Sequence, residues 1–371
     1  MLGSDERLSD PAPPRSPPGI PLAAIDGLVD KIAQRLGGTN QRQRSPANYR
    51  RHQILSVLAF AGVVWAFVTV FVTQLNTIGL IQLWLFYVIL GTGFYLSFAM
   101  AGRIAVCQAF MAGVGAYSSA WATRSHTFLV GLGFAILTTA VLSLLLARLL
   151  SKSGHFYFAI ATLGLAEIGH TVFTKWHGFT GPSGLVGGIP PIELFGRTFS
   201  SSRHVMWAFL IVASLCLLVV ALIERSPLRR EVIATRDIPM VASASGVSIE
   251  HYKTGFFVLG SVMAGIGGSL FAHWQAFLAP ESFGIDLSIG LFLMVILGGA
   301  ISPWGVVLGA AFYVWAPEYL KNYHEWQSLI YGALLMIIII VLPEGLVGLG
   351  HRSVRQARRL SRRRRGAVDR A

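Results

Sequence analysis

The chain has 371 residues, of which 54% are hydrophobic and only 13% are charged, and its formal net charge is +13. A composition this apolar excludes a soluble globular enzyme, a disordered chain and a coiled coil. A strongly basic chain often binds nucleic acid, but eleven of the thirteen net charges lie in residues 1–53 and 351–371. We therefore expect a nearly neutral membrane domain between two charged tails, and no nucleic acid partner.

Both tails are predicted to lie outside the bilayer. Residues 1–53 form a polar N-terminal tail whose proline-rich start is typical of a disordered segment. Within it, apolar residues recur at helical spacing over 20–36. This spacing favours a short amphipathic helix on the membrane or against a partner, with a weakly helical stretch of tail as the alternative. Residues 351–371 contain nine Arg, and we expect them to contact anionic lipids.

The body, residues 54–350, is the predicted transmembrane domain. Its apolar runs are close to the length of about 20 residues that crosses a bilayer, and they predict an all-α polytopic membrane protein with about ten transmembrane helices. The third, eighth and ninth runs are short or interrupted by Gly, as in re-entrant or broken helices. The runs are 54–73, 78–100, 104–122, 127–149, 156–176, 205–224, 252–276, 284–300, 305–320 and 327–348.

Charge placement predicts the orientation. With ten crossings, 25 Lys and Arg lie inside and five outside, which puts the N- and C-termini in the cytoplasm. The Gly- and Pro-rich connection 177–204 then lies outside, and 225–251 lies inside. The inner connection is predicted to form short helices that are broken by Pro227 and Pro239 and ended by Gly246. Such a segment is a candidate docking surface.

The chain lacks the motifs of several catalytic classes. It contains no P-loop sequence for ATP, no metalloprotease motif and no paired-cysteine metal site. Its two cysteines, Cys107 and Cys216, lie within apolar runs and are interpreted as small buried side chains. We expect no enzymatic activity, no cofactor and no metal. Any transport would use an ion gradient or the ATPase of a partner.

Some polar residues within the apolar runs are candidates for the transport pathway. Glu167 lies in the fifth run, with His170 and Thr171 on the same helical face. An ionisable group at this depth is a functional candidate, and an inter-helix hydrogen bond is the structural alternative. His273 and Glu281 are expected near the outer mouth, where ordinary interfacial residues are the alternative.

Small residues repeat every four positions in two of the runs. Such stripes allow helices to approach closely, so we interpret them as packing surfaces. They consist of Gly260, Ala264 and Gly268, and of Ala112, Ala116 and Ala120.

Seven segments of the chain resemble, in order, the M-type membrane subunit of branched-chain amino acid ABC importers. The similarity extends from about Tyr87 to Leu349, and Gln108 stands where this family usually has His. The segments are AGRIAVCQAFMAGVGAYSSA (101–120), GHFYFAIATLGLAEI (154–168), TGPSGLVGGIPP (180–191), IATRDIPMVASASGVSIEHYKTGFFVLGSVMAGIGGSLFAH (233–273), APESF (279–283), VILGGAISPWGVVLGAA (295–311) and LPEGLVGL (342–349).

The resemblance implies a permease subunit in the bacterial inner membrane that translocates Leu, Ile or Val. Its implied partners are a second permease subunit, two cytoplasmic ABC ATPases and an extracytoplasmic substrate-binding protein. The candidate residues of the translocation pathway are Gln108, Thr162, Glu167, His170, His273 and Glu281.

The resemblance also implies that residues 233–246 form the coupling helix, which docks into a cleft of the ATPase. Thr235, Pro239 and Ser245 depart from the family pattern there, and Pro239 could shift the start of the helix. The residues carried over to this role are Ala234, Arg236, Asp237, Ala242 and Gly246.

Two other classes of function remain open. Glu167 and His170 could couple a secondary transporter to protons, in which case the lone subunit would take up solute along a gradient. A channel or scaffold would show no saturable transport. Within the ABC family, urea, amides or other amino acids are alternative substrates.

Overall fold

The computed structural model describes residues 75–151, 153–194, 197–199, 201–323, 326–342 and 345–348. This part of the chain is mostly helical. The predicted first run, 54–73, and both charged tails lie outside the described residues, so the predictions made for them stay predictions.

The longer helices follow the apolar runs, and shorter turns of helix connect them. A π-helix, Leu96–Met100, continues the first helix, and a one-turn helix, Pro280–Phe283, precedes the ninth. In chain order the α-helices of six or more residues are α1 (Leu75–Tyr95), α2 (Gln108–Ala122), α3 (Phe128–Leu149), α4 (His155–Lys175), α5 (Ser202–Ile223), α6 (Leu228–Asp237), α7 (Pro239–Ala244), α8 (Ile249–Gln275), α9 (Ile285–Gly298), α10 (Pro303–Tyr319) and α11 (Gln327–Val341). A four-residue helix, His177–Thr180, follows α4.

Each predicted run beyond residue 75 overlaps one of these helices. The described chain has six helices that are long and apolar enough to cross a membrane, whereas α2, α10 and α11 are shorter. The chain is therefore a multi-pass membrane protein, and the count of about ten crossings stays a prediction. The six are Thr77–Met100, Phe128–Leu149, Phe156–Lys175, Ser202–Ile223, Ile249–Gln275 and Pro280–Gly298.

Helix α8 forms the centre of the bundle and packs against α1, α2 and α3. The predicted small-residue stripes lie at these contacts. A Cβ at Gly268 would overlap the carbonyl oxygen of Ala112, and one at Gly260 would overlap that of Gly93. Glycine is therefore required at both crossings, because the obstacle in each case is the backbone of the neighbouring helix. The interpretation of the stripes as packing surfaces is confirmed.

The outer connection contains short strands, which the all-α prediction did not include. Strand β1 (Val186–Gly187) pairs antiparallel with β4 (Phe277–Leu278), and β2 (Ile192–Leu194) pairs with β3 (Arg197–Phe199). A segment rich in Gly and Pro is a poor helix former, and its backbone N–H and C=O groups find partners in these pairs instead. The β1–β4 pair fastens the connection to the end of α8.

The inner connection forms two helices, as predicted, rather than one continuous coupling helix over 233–246. Helix α6 follows Pro227, and α7 begins with Pro239 as its first residue. Between them Ile238 has non-helical backbone angles (φ −139°, ψ 69°), because the residue before a proline is disfavoured in the α conformation. After α7, Gly246 has φ +79°, a left-handed angle that ends a helix readily only at glycine.

Helix α2 begins at Gln108, four residues later than predicted. The segment from 101 to 107 is not helical, and Gly102 within it has φ +71°. The π-helix and this segment together form a break between α1 and α2, which we call the α1–α2 break (residues 96–107).

Candidate functional site

The α1–α2 break lies within the packed bundle, and side chains from other helices satisfy its backbone. The Val106 amide donates to Thr162 Oγ1 on α4 at 3.1 Å, and the Ala109 amide donates to Ser288 Oγ on α9 at 3.1 Å. Gln108 Nε2 donates to the carbonyl oxygen of Gly260 at 2.7 Å. The first two of these bonds occupy backbone N–H groups that a helix start leaves without a backbone partner. The pathway candidate Thr162 therefore contacts the break, and the candidate Gln108 lies directly after it. Both residues are fully buried.

Arg103 lies in the α1–α2 break and contacts three other segments of the chain at one end of the bundle. It is 3% exposed, and its Nη2 donates to the Ser151 carbonyl at 3.3 Å and to Glu250 Oε2 at 3.4 Å. Its guanidinium also lies over the Phe158 ring, 4.9 Å from the centroid. Sequence reasoning counted Arg103 only as an inner charge. Its position between two apolar runs was the available signal, because such an Arg must find partners or water.

Arg236 connects α6 to the same break. Its Nη1 donates to the carbonyl oxygen of Ala99 in the π-helix, and its Nε lies 3.3 Å from Asp237 Oδ1. A Cβ at Gly102 would lie 2.9 Å from Arg236 Cγ, so glycine lets the Arg side chain lie against the break. Arg236, to which the family resemblance assigns a coupling role, therefore contacts the π-helix that continues α1.

A second contact holds α1 at this end of the bundle. Tyr95 Oη donates to Glu224 Oε1 at 2.8 Å, immediately after α5. Burial raises the pKa of Glu224 above its ordinary value, while the hydrogen bond from Tyr95 and the positive charge of Arg229 act in the opposite direction. The end of α1 is thus connected to both α5 and α6.

Helix α7 presents apolar side chains outside the bundle. Ile238, Met240 and Val241 are 51%, 84% and 59% exposed, and they lie in a connection between membrane-crossing helices rather than within one. We call these three residues the α7 patch. Contiguous exposed apolar residues of this kind indicate an interaction surface.

The remaining coupling candidates differ in exposure. Arg236, Asp237 and Gly246 are exposed, Ala234 is half-buried, and Ala242 is buried against the bundle. Ala242 therefore positions α7, and the exposed residues around it are available to a partner.

His273 fastens the opposite end of α8. Its Nδ1 is 2.7 Å from the carbonyl oxygen of Pro190 and its Nε2 is 3.1 Å from Ser119 Oγ. Since a carbonyl only accepts, Nδ1 carries the proton and Nε2 can accept from Ser119. Ser269 in turn donates to Ser119 at 2.8 Å. A cavity of about 530 Å³ opens beside this cluster, and Arg124 and Glu193 are among its lining residues.

The other pathway candidates lie on separate surfaces. Glu281 is exposed in the turn before α9, Glu167 is exposed on the outer face of α4, and His170 is half-buried one turn further along α4. The six candidates therefore do not line one channel within this subunit.

The comparison with protein families agrees with this architecture. The model of the branched-chain amino acid transport system permease component matches residues 76–340, most of the chain. The chain belongs to this family. It is thus a permease component in which the Arg103 contacts and the α7 patch lie at one end of a membrane-helix bundle and the His273 cluster lies at the other.

Individual permeases show the same relationship. The chain is 29% identical, over 79% of its length and 74% of the relative's, to the high-affinity branched-chain amino acid transport system permease protein LivM of Escherichia coli. It is 25% identical to the permease protein LivH of the same organism, over 42% of this chain and 50% of LivH. The probable permease LivM of Methanocaldococcus jannaschii is 28% identical, over 40% of this chain and 49% of that protein. No solved structure matches the chain.

Proposed function

We propose that this chain is a membrane permease subunit of an ATP-driven ABC importer that carries Leu, Ile and Val across the bacterial inner membrane. The observation that carries the proposal is the α7 patch. It is an exposed apolar surface in a permease of the branched-chain amino acid family, and it is joined through Arg236 to the end of α1. A transporter driven by an ion gradient alone has no need for such a surface.

The proposed partners follow from what the chain contains and resembles. It has no P-loop, so two cytoplasmic ABC ATPases would hydrolyse ATP. Its similarity to both LivM and LivH supports a complex in which this chain pairs with a second permease subunit and shares the pathway with it. An extracytoplasmic binding protein would deliver the amino acid at the end of the bundle that carries the His273 cluster.

ATP-dependent motion of the ATPases would reach the permease through α6 and α7. We propose that the α7 patch, together with Arg236, Asp237 and Gly246, contacts the ATPase, and that Ala234 and Ala242 hold the two helices on the bundle. Movement of α6 would act on the π-helix through the bond from Arg236 to Ala99. π-Helical turns often mark functional sites, and a helix break is a natural hinge for switching between inward- and outward-facing states.

The pathway candidates have different parts in this proposal. His273 and Glu281 would contribute to the outer mouth, and Glu167 and His170 would face the region shared with the second permease. Gln108 and Thr162 are buried beside the α1–α2 break and would contact it as it moves.

Reconstitution of the complex in proteoliposomes tests this function. Uptake of labelled leucine should require the second permease, the ATPases, the binding protein and ATP, and unlabelled isoleucine and valine should compete with it. Competition by urea or amides instead would point to another substrate within the family. Uptake by this chain alone under a proton gradient would overturn the proposal in favour of the secondary transporter.

A further inference from the structure

Helix α4 carries an ionisable residue, Glu167, on a face that is exposed on the surface of the bundle. We define the α4 outer face as Ile160, Gly164, Glu167 and Thr171, which repeat at the three- and four-residue spacing of one side of a helix. The side chain of Glu167 makes no hydrogen bond or ion pair with any residue in the part of the chain that the structure describes. A Cβ at Gly164 would meet no atom within 4 Å.

The carboxyl group of Glu167 lies far from either end of its helix. It is twelve residues after the start of α4 at His155 and eight before its end at Lys175. At 1.5 Å per residue these separations are about 18 Å and about 12 Å, in a hydrocarbon core about 30 Å thick. Ionisable groups at such depth face other protein segments or water-filled cavities rather than lipid tails. The α4 outer face therefore requires a polar covering.

Helix α3 provides the contrast within the same molecule. Its exposed residues from 129 to 145 are all apolar, with Leu137, Val141 and Leu145 each at least 59% exposed. Such a face is compatible with lipid. Both helices are exposed over long stretches, but the carboxyl group of Glu167 needs a polar partner and the apolar face of α3 does not.

We propose that the α4 outer face is the contact surface for the second permease subunit, an inference that rests on the proposed function. A helix of that subunit would pack over Gly164, where the absence of a side chain permits close approach. It would present a cationic side chain to Glu167. Such a donor would satisfy the carboxyl group in the low dielectric of the membrane, where its attraction is weakly screened.

The predicted first run of this chain is a poorer candidate for covering Glu167. Residues 54–73 contain no Lys, Arg or His, so they offer no cation to a carboxylate. A second copy of this chain would present the same carboxyl group from α4 and would place like charges together. A different permease subunit with a donor at this depth avoids both difficulties.

Site-specific photocrosslinking in the assembled complex locates the neighbour of α4. The photoreactive residue p-benzoylphenylalanine replaces Ile168, which is 61% exposed beside Glu167, or Val141 on α3, which is 59% exposed. We expect irradiation to join Ile168 to the second permease and Val141 to no protein subunit. An adduct of Ile168 with another copy of the chain, a crosslink within the same chain, or equal crosslinking from both sites would overturn the proposal.

Two matched leucine substitutions test the same surface without crosslinking. Gly164→Leu and Gly133→Leu each add a side chain where a Cβ meets no atom within 4 Å, one on α4 and the other on α3. We expect recovery of the second permease with Gly164→Leu to fall by roughly tenfold, since helix association in membranes depends on close backbone approach, and recovery with Gly133→Leu to match wild type. Equal recovery from both variants overturns the inference. Failure of the wild-type chain to recover a second permease overturns the proposed function itself.

Discussion

The crossing of α8 and α2 at Gly268 supports a quantitative prediction. In Gly268→Ala the new Cβ would lie 2.7 Å from the carbonyl carbon of Ala112, whereas ordinary contacts begin at 3.4 Å. Because the obstacle is the backbone of α2, and its carbonyl oxygen lies closer still to the new Cβ, the two helices must separate by more than about 0.7 Å to restore ordinary contact. Overpacking of a close-packed interior costs about 1–3 kcal/mol. With a shift of about 2–4 °C per kcal/mol, the value for chains of about 150–250 residues, the expected fall in Tm is about 2–12 °C.

Gly255→Ala is the matched control, since it lies on the same helix and a Cβ there meets no atom within 4 Å. Alanine is favoured over glycine in a helix by about 0.5–1 kcal/mol, so this variant should melt at or slightly above the wild-type temperature. The measurement heats the detergent-solubilised chain and follows the folded fraction by size-exclusion chromatography. Equal melting temperatures for the two variants would refute the assignment of Gly268 to a backbone contact.

Three further predictions concern the end of the bundle that carries Arg103, α6 and α7. Arg236→Gln should leave the complex assembled but reduce ATP-driven uptake several-fold, since a hydrogen bond from a charged donor contributes about 1.5–3 kcal/mol. Arg230→Gln, which removes an exposed charge on the same helix, should transport at the wild-type rate. Equal uptake by the two variants would contradict the role of the bond between Arg236 and the π-helix. Replacement of both Met240 and Val241 by serine should abolish recovery of the ATPase with the chain. The Tm should change little, because exposed substitutions change stability by about 0.5 kcal/mol or less. Recovery of the ATPase with this variant would exclude the α7 patch as the docking surface. Arg103→Gln should destabilise the chain by about 1–3 kcal/mol, measured as a lower Tm, and an unchanged Tm would show that its bonds add no net stability.

Much of the helical framework could be predicted from the sequence because its causes are local. Hydropathy determines which runs enter the membrane, and each run beyond residue 75 overlaps an observed helix. The stripe of Gly260, Ala264 and Gly268 also indicated close packing correctly, since glycine spacing on a helix face is visible in one dimension. Proline and glycine similarly indicated the division of the inner connection into α6 and α7.

The features that sequence reasoning missed depend on contacts between distant segments. Nothing local to Arg103 reveals that Ser151, in the turn after α3, and Glu250, on α8, both contact it. The late start of α2 depends on Thr162 and Ser288, which replace the backbone partners that earlier helical residues would have supplied. The β1–β4 pair likewise joins segments about 90 residues apart.

The candidate pathway residues show the same limit. Their polarity within apolar runs was visible, but the structure distributes them over a buried break, a bundle end and an outer helix face. Polarity alone indicates that a residue needs a partner, and only the fold determines whether that partner lies within the chain.

The backbone contacts of α8 have a mechanical consequence. The backbone contacts at Gly260 and Gly268 leave no free space between α8 and its neighbours α1 and α2 at these two crossings, so a movement of α8 should be transmitted to both neighbours there. With 27 residues, α8 is about 40 Å long, and it joins the Arg103 contacts at one end to the His273 cluster at the other. A tilt of about 4° would displace one end by about 3 Å relative to the other over that length. The helix is therefore a lever arm that would let a small push near α6 and α7 open or close the far side of the bundle.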